Sequence, residues 1–179
     1  GPEHRPGLAR AVRVPYPGDM TATPAAPSAP PPRSFTVVGN GRAGGAFALA
    51  LRSVGWSLVS VFGRDDDPAQ AAMDAAVVLL TVPDGAIADV AKRILVGPAV
   101  IAHAAGSLPL SVLDPHVRVA SVHPLMSLPD AERGAARLLD RCTFAVAGDP
   151  IGRAIVADLG GVGVEIADAD RALYHATAC

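Results

Sequence analysis

Phe35-Thr36-Val37-Val38-Gly39-Asn40-Gly41-Arg42-Ala43-Gly44 is the stretch that decides the fold. Phe35–Val38 reads as a short buried strand. G-x-G-x-x-G follows it. Apolar residues then recur at Ala43, Phe47, Ala50, Leu51 and Val54, which is helical spacing. Gly55 stands where a helix end takes a residue that tolerates positive φ. In a strand–turn–helix of this kind each glycine has a separate task. Gly39 permits the tight turn, Gly41 lets the backbone approach a pyrophosphate, and Gly44 lets helix and strand pack closely. The N–H groups of the first helical turn, at Arg42 and Ala43, and the positive end of the helix dipole then face the phosphate charge. A glycine-rich turn without a ligand is the competing reading. Placement between a strand and a helix favours the binding site.

Composition sets the limits. The chain has 179 residues, enough for one domain with a sizeable core. Half the residues are apolar and only 4% are aromatic, so Ala, Val, Leu and Ile must build that core. Net charge is −2 with no basic patch, which argues against a nucleic-acid partner. Lys92 is the only lysine. Cys142 and Cys179 lack metal-type spacing and are too few for a disulfide framework, so no metal site is expected and a cytoplasmic setting fits. Cys142 reads as a small apolar residue beside a strand. No apolar run reaches the length of a membrane span, and no signal peptide is visible.

Outward from the glycine turn, the chain divides into three parts. Residues 1–33 hold nine of the 17 prolines and are expected to form a disordered tail. Gly1-Pro2 resembles the scar of a protease cut, and Met20 is a candidate native start. Residues 34–167 alternate strands at 35–39, 57–62, 76–82, 99–103, 117–122, 143–147 and 162–166 with helices near 43–54, 68–75, 84–95 and 150–159. No element is assigned between 123 and 142. Residues 168–179 begin a final helix, with Asp168 as its cap. The alternation predicts an α/β fold: a doubly wound, mostly parallel sheet with helices on both faces. Ligands in such sheets lie at the carboxyl ends of the strands.

The residues at those ends carry the chemistry. Arg64 follows Gly63 after strand two and suits the 2′-phosphate of NADP, which is favoured over NAD, with Arg42 as a second positive charge. Asp65–Asp67 read as a solvated loop and helix cap. Val82 and Pro83 pass beside the cofactor, and Pro83 also suits a helix start. His103 reads more readily as a core residue than as a site residue. Ser107 offers a hydroxyl to a substrate carbonyl or carboxylate. His123, held by Pro124, is placed to give a proton to a carbonyl oxygen as hydride arrives. A histidine that only hydrogen-bonds its loop is the equal alternative.

Gly39-x-Gly41-x-x-Gly44, Val82-Pro83-Asp84, His103-Ala104-Ala105-Gly106-Ser107, His123-Pro124-Leu125 and Tyr174-His175-Ala176 occur here in an order that resembles a little-characterised family of Rossmann-like oxidoreductases. That family sits in the 6-phosphogluconate dehydrogenase-like group, with pyrroline-5-carboxylate reductase, ketopantoate reductase and prephenate dehydrogenase. The resemblance covers residues 35–179. It implies an NADP-binding Rossmann domain followed by a helical domain that forms a homodimer and completes the active site. The sequence stops where the linking helix begins, so a truncated chain is expected. Tyr174 and His175 would line the substrate cleft in the complete protein.

Three functions are weighed. One is the cofactor-binding half of an NADP-dependent oxidoreductase, acting on a small carbonyl, imine or 2-oxo acid by hydride transfer. The second is a dinucleotide-binding sensor or scaffold without turnover. The third is a domain for another nucleotide cofactor, such as a flavin, a deazaflavin or S-adenosylmethionine, against which Arg64 argues.

Overall fold

The computed structural model describes residues 33–171, Tyr174 and Ala176. The expected tail before Arg33, His175 and Cys179 lie outside the described residues. The strands are β1 (Ser34–Val38), β2 (Ser57–Phe62), β3 (Val77–Leu80), β4 (Val100–His103), β5 (Val119–Pro124), β6 (Thr143–Gly148) and β7 (Val162–Glu165). The helices are α1 (Arg42–Ser53), α2 (Asp84–Arg93), α3 (Ala131–Leu139) and α4 (Ile151–Asp158). One sheet holds the strands in the order β2-β1-β3-β4-β5-β6-β7. Every neighbouring pair is parallel except β5/β6. This is the doubly wound, mostly parallel sheet that the alternation predicts. The order reverses between β1 and β3, and a crevice opens there at the strand ends.

Strand periodicity explains the two layers. Successive side chains point to opposite faces, so Phe35, Val37, Val77, Leu79, Val100, Ala102, Ala120 and Val122 share one core with Phe47 and Leu51 of α1, Leu138 of α3 and Ile155 of α4. Val38, Val78, Leu80 and Ile101 face the other way, onto Ile87 and Ala91 of α2 and onto Leu113. Cys142 is buried, as expected of a small apolar residue. The edge strands differ. Val59 and Val61 of β2 and Val162 and Val164 of β7 are exposed.

Four local readings are corrected. The helix expected at 68–75 is a 3₁₀ turn over Pro68–Gln70, capped by Asp67, whose carboxylate accepts the Ala69 N–H at 3.3 Å. Second, β5 runs on through His123 to Pro124, because β6 pairs with it antiparallel and satisfies that stretch of backbone. Third, α3 fills the unassigned stretch. Asp130 caps it by accepting the Arg133 N–H at 2.7 Å. Its buried residues, Gly134, Ala135 and Leu138, do fall at helical spacing, but two of the three are too small to stand out as an apolar stripe. That small face has a purpose. Ala131 lies over Gly45 and Gly134 over Ala46, so close that a Cβ added at either glycine would stand 2.8 or 2.7 Å from the facing alanine Cβ. Finally, Asp168 is not a side-chain cap. It accepts the Leu110 N–H at 3.1 Å and the Arg171 Nε–H at 3.1 Å, while Ala167 precedes the 3₁₀ turn Asp168–Asp170.

Candidate active site

The glycine turn is built as its sequence requires. Gly39 has φ +111°, a conformation that an L side chain rarely adopts. Its N–H donates to the Phe62 carbonyl at 2.8 Å, tying the ends of β1 and β2 together. Its carbonyl accepts the Thr81 hydroxyl at 2.8 Å, tying the turn to the end of β3. Gly44 sits against this carbonyl, and a Cβ there would overlap the oxygen. Gly41 is different. No heavy atom of the described residues lies within 4 Å of where its Cβ would be. The first helical bond of α1 runs from the Gly45 N–H to the Gly41 carbonyl at 2.9 Å. Gly41 supplies no side-chain cap, and the first turn holds no acidic residue. The positive end of α1 is therefore left for an external anion.

Two cavities meet at this turn. One, of about 460 Å³, is lined by Gly39, Gly41, Arg64, Asp66, Val90 and Arg93. The other, of about 450 Å³, is lined by Arg42, Ala43, Phe47, Ala104, His123 and Met126. Gly41, Thr81, Val82 and Pro83 line both. Of the residues singled out in the sequence, Gly39, Gly41, Arg42, Ala43, Arg64, Val82, Pro83 and His123 all line this crevice, and Gly44 packs behind it. Arg42 lies on the His123 side. The second cation beside Arg64 is Arg93, from the last turn of α2. Sequence reasoning missed Arg93 and Thr81. Thr81 had one signal, a hydroxyl at the end of an apolar strand.

His123 Nδ1 lies 3.1 Å from the Tyr174 hydroxyl, and the two rings meet edge to face with centroids 6.0 Å apart. Tyr174 thus reaches a residue that lines the crevice. Ser107 lines neither cavity. Its hydroxyl donates to Asp84 at the start of α2, at 3.2 Å.

His103 is a core residue, as expected, with no exposed surface. Its Nδ1 accepts the Ala105 N–H at 3.2 Å, which places the neutral ring's proton on Nε2. Burial, and then the nearby Arg171 charge, hold its pKa down at about 4. Arg171 is itself 1% exposed. Among the described residues it gives only Nε to Asp168, and Nη1 and Nη2 have no hydrogen-bond partner there. Burial pushes the Cys142 thiol up to about 11, so it is an inert group. Among the described residues, no cluster of His, Cys, Asp and Glu could hold a metal ion, and no helix is long and apolar enough to cross a membrane.

Strand order, glycine turn and crevice together define the class, a Rossmann-type α/β fold. No family model and no curated protein matches the chain. Solved structures do. A Bacteroides fragilis protein, assigned provisionally to the NADP oxidoreductases, superposes with a TM-score of 0.67 at 19% identity, over 81% of this chain and 64% of its own. Prephenate dehydrogenase from Aquifex aeolicus, solved with hydroxyphenyl propionate and NAD+, gives 0.63 at 17% identity, over 77% and 61%. Pyrroline-5-carboxylate reductase from Streptococcus pyogenes gives 0.61 at 15% identity, over 80% and 62%. The chain thus spans less than two thirds of the length of these structures. At such identities the likeness establishes the fold.

Proposed function

We propose that this chain is the cofactor-binding half of an oxidoreductase that uses a nicotinamide dinucleotide, NADP in preference to NAD. The observation that carries this reading is the pair of cavities sharing Gly41, Thr81, Val82 and Pro83. A dinucleotide has two ends joined by a pyrophosphate. The crevice has two cavities joined at an uncapped helix N-terminus, where a glycine leaves the space open. Arg64 marks the adenosine end and His123 the nicotinamide end. Names of structural neighbours, an NADP oxidoreductase and a pyrroline-5-carboxylate reductase among them, agree with this direction.

The bound nicotinamide would supply hydride to, or accept it from, a carbon of the substrate. This chain's part is to hold and protonate. Gly41 and the first turn of α1 bind the pyrophosphate, with Arg42 and Ala43 beside it. Val82 and Pro83 wall the crevice between its two ends. His123 holds a proton for the oxygen or nitrogen that becomes more basic as a small carbonyl, imine or 2-oxo acid is reduced. Ser107 supplies a substrate hydrogen bond once its hydroxyl leaves Asp84. In a longer protein a helical domain following Tyr174 would close the cleft and form a homodimer. A small-molecule substrate and a cytoplasmic setting belong to the same reading.

Titration of the chain with NADPH and NADH tests it. Saturable binding of NADPH, tighter than NADH and weakened by Arg64→Gln, is expected. Failure of both nucleotides to bind would overturn the reading. In a longer protein, His123→Asn is expected to abolish turnover while NADPH still binds.

A further inference from the structure

The cavity at the Arg64 end holds more positive charge than one 2′-phosphate ligand supplies. Arg64 enters it from the end of β2 and Arg93 from the last turn of α2. Among the described residues Asp66 is the one carboxylate on its lining, and that carboxylate accepts the Gly63 N–H at 2.6 Å. Arg93 is held to one side by Asp67. Its Nη2 lies 3.3 Å from Asp67 Oδ1, with the two side chains 55% and 74% exposed. A pair this open to water is weak. A phosphate monoester carries nearly two charges and offers three acceptor oxygens, whereas Asp67 carries one charge and already accepts the Ala69 N–H. A guanidinium given both partners moves to the phosphate.

We propose that Arg93 is the second ligand of the ribose 2′-phosphate, and that Asp67 competes with that phosphate for it. The inference rests on the nicotinamide dinucleotide reading and adds a residue that sets NADP against NAD from the opposite element. Asp67 then lowers affinity for NADPH, although it touches no part of the cofactor.

The test is a set of NADPH and NADH titrations on the wild type, Arg64→Gln, Arg93→Gln and Asp67→Asn. All three side chains are exposed or line an open cavity, and Asn keeps the cap that Asp67 provides, so each variant is expected to fold. Loss of one charge-assisted contact weakens NADPH binding about tenfold in Arg93→Gln, with NADH within about twofold of wild type. Asp67→Asn is expected to tighten NADPH about threefold and leave NADH unchanged, a gain that no purely structural role of Asp67 produces. Equal loss of both nucleotides in Arg93→Gln would mean that it stacks on the adenine, and would overturn the proposal. Unchanged binding in Arg93→Gln would overturn it as well. If only Arg64→Gln removes the NADPH preference, the inference fails and the parent reading stands. If the wild type binds neither nucleotide, the parent reading fails.

Discussion

Gly41 and Gly44 lie three residues apart in one motif, and the structure makes opposite demands on them. Consider alanine at each. At Gly44 the new Cβ overlaps the Gly39 carbonyl oxygen and stands 2.7 Å from Thr81 Oγ1. Neither group can retreat freely. The carbonyl accepts the Thr81 hydroxyl at 2.8 Å, and the Gly39 N–H is fixed on Phe62 at 2.8 Å. Relief must open the turn. That costs about 1–3 kcal/mol for a buried hydrogen-bonding group left unmade. Overpacking adds about 1–3 kcal/mol. A loss of about 4 kcal/mol is expected, lowering Tm by roughly 10 °C for a domain of this size. At Gly41 the Cβ meets nothing within 4 Å, and φ is −76°, which alanine adopts without strain. The poorer helix cap and the reduced freedom of the unfolded chain nearly cancel, so stability changes by less than about 0.5 kcal/mol. The methyl group then occupies the space through which the backbone meets the pyrophosphate. NADPH affinity falls at least about tenfold. Urea unfolding and NADPH titration on both variants separate the effects. A Gly41→Ala chain that binds NADPH like wild type would refute the role given to Gly41. A Gly44→Ala chain of unchanged stability would refute the packing argument.

Two further outcomes follow from the buried polar groups on the α2 face. His103 is neutral in the fold with a pKa of about 4, against 6.5 for the free side chain. The unfolded chain therefore takes up a proton that the folded chain refuses between these values. His103's contribution is fully kept above pH 6.5, drains away as pH falls, and levels off below about 4, a loss of about 3 kcal/mol. Urea midpoints at pH 7 and pH 4.5 should differ less in His103→Gln than in wild type, and equal slopes would contradict the argument. Arg171→Met removes a buried charge whose Nη1 and Nη2 have no partner among the described residues, and it leaves Asp168 at 43% exposure, where water can solvate it. Stability is expected to hold or rise. The His103 pKa should also rise, because the Arg171 charge holds it down. NMR titration of His103 measures this, and a destabilisation above about 2 kcal/mol would sink the account.

Legibility in the sequence followed the range of the interactions. The β1–α1 unit could be read because its signals are local: an apolar run, three glycines and a helical stripe. Strand β2 was legible to the residue, Ser57–Phe62, for the same reason. Helix α3 was not, although Ala135 and Leu138 keep helical spacing, because the residues that face α1 are small ones selected by its closeness. Gly134 is there to admit Ala46. The reversal of β6 was equally hidden, since antiparallel and parallel strands of Phe, Ala and Val look alike in one dimension. Arg93 stood unnoticed among ordinary helix-ending basic residues. Only the turn of α2 over the strand ends brings it to Arg64, nearly 30 positions away.

The division has a physical basis. By itself the sequence determined what depends on neighbours along the chain. That covers the strand–helix alternation, the glycines that only a tight turn explains, and the placing of Arg64 and His123 just beyond or at the ends of their strands. Tertiary structure alone decided what depends on distance through space. It joined two cavities at Gly41, set the Tyr174 hydroxyl on His123, buried Arg171 near His103, and parked Arg93 on Asp67. Backbone torsions and hydrophobic period are written locally. The partner that a charge or a hydroxyl finds is chosen only when the sheet has assembled.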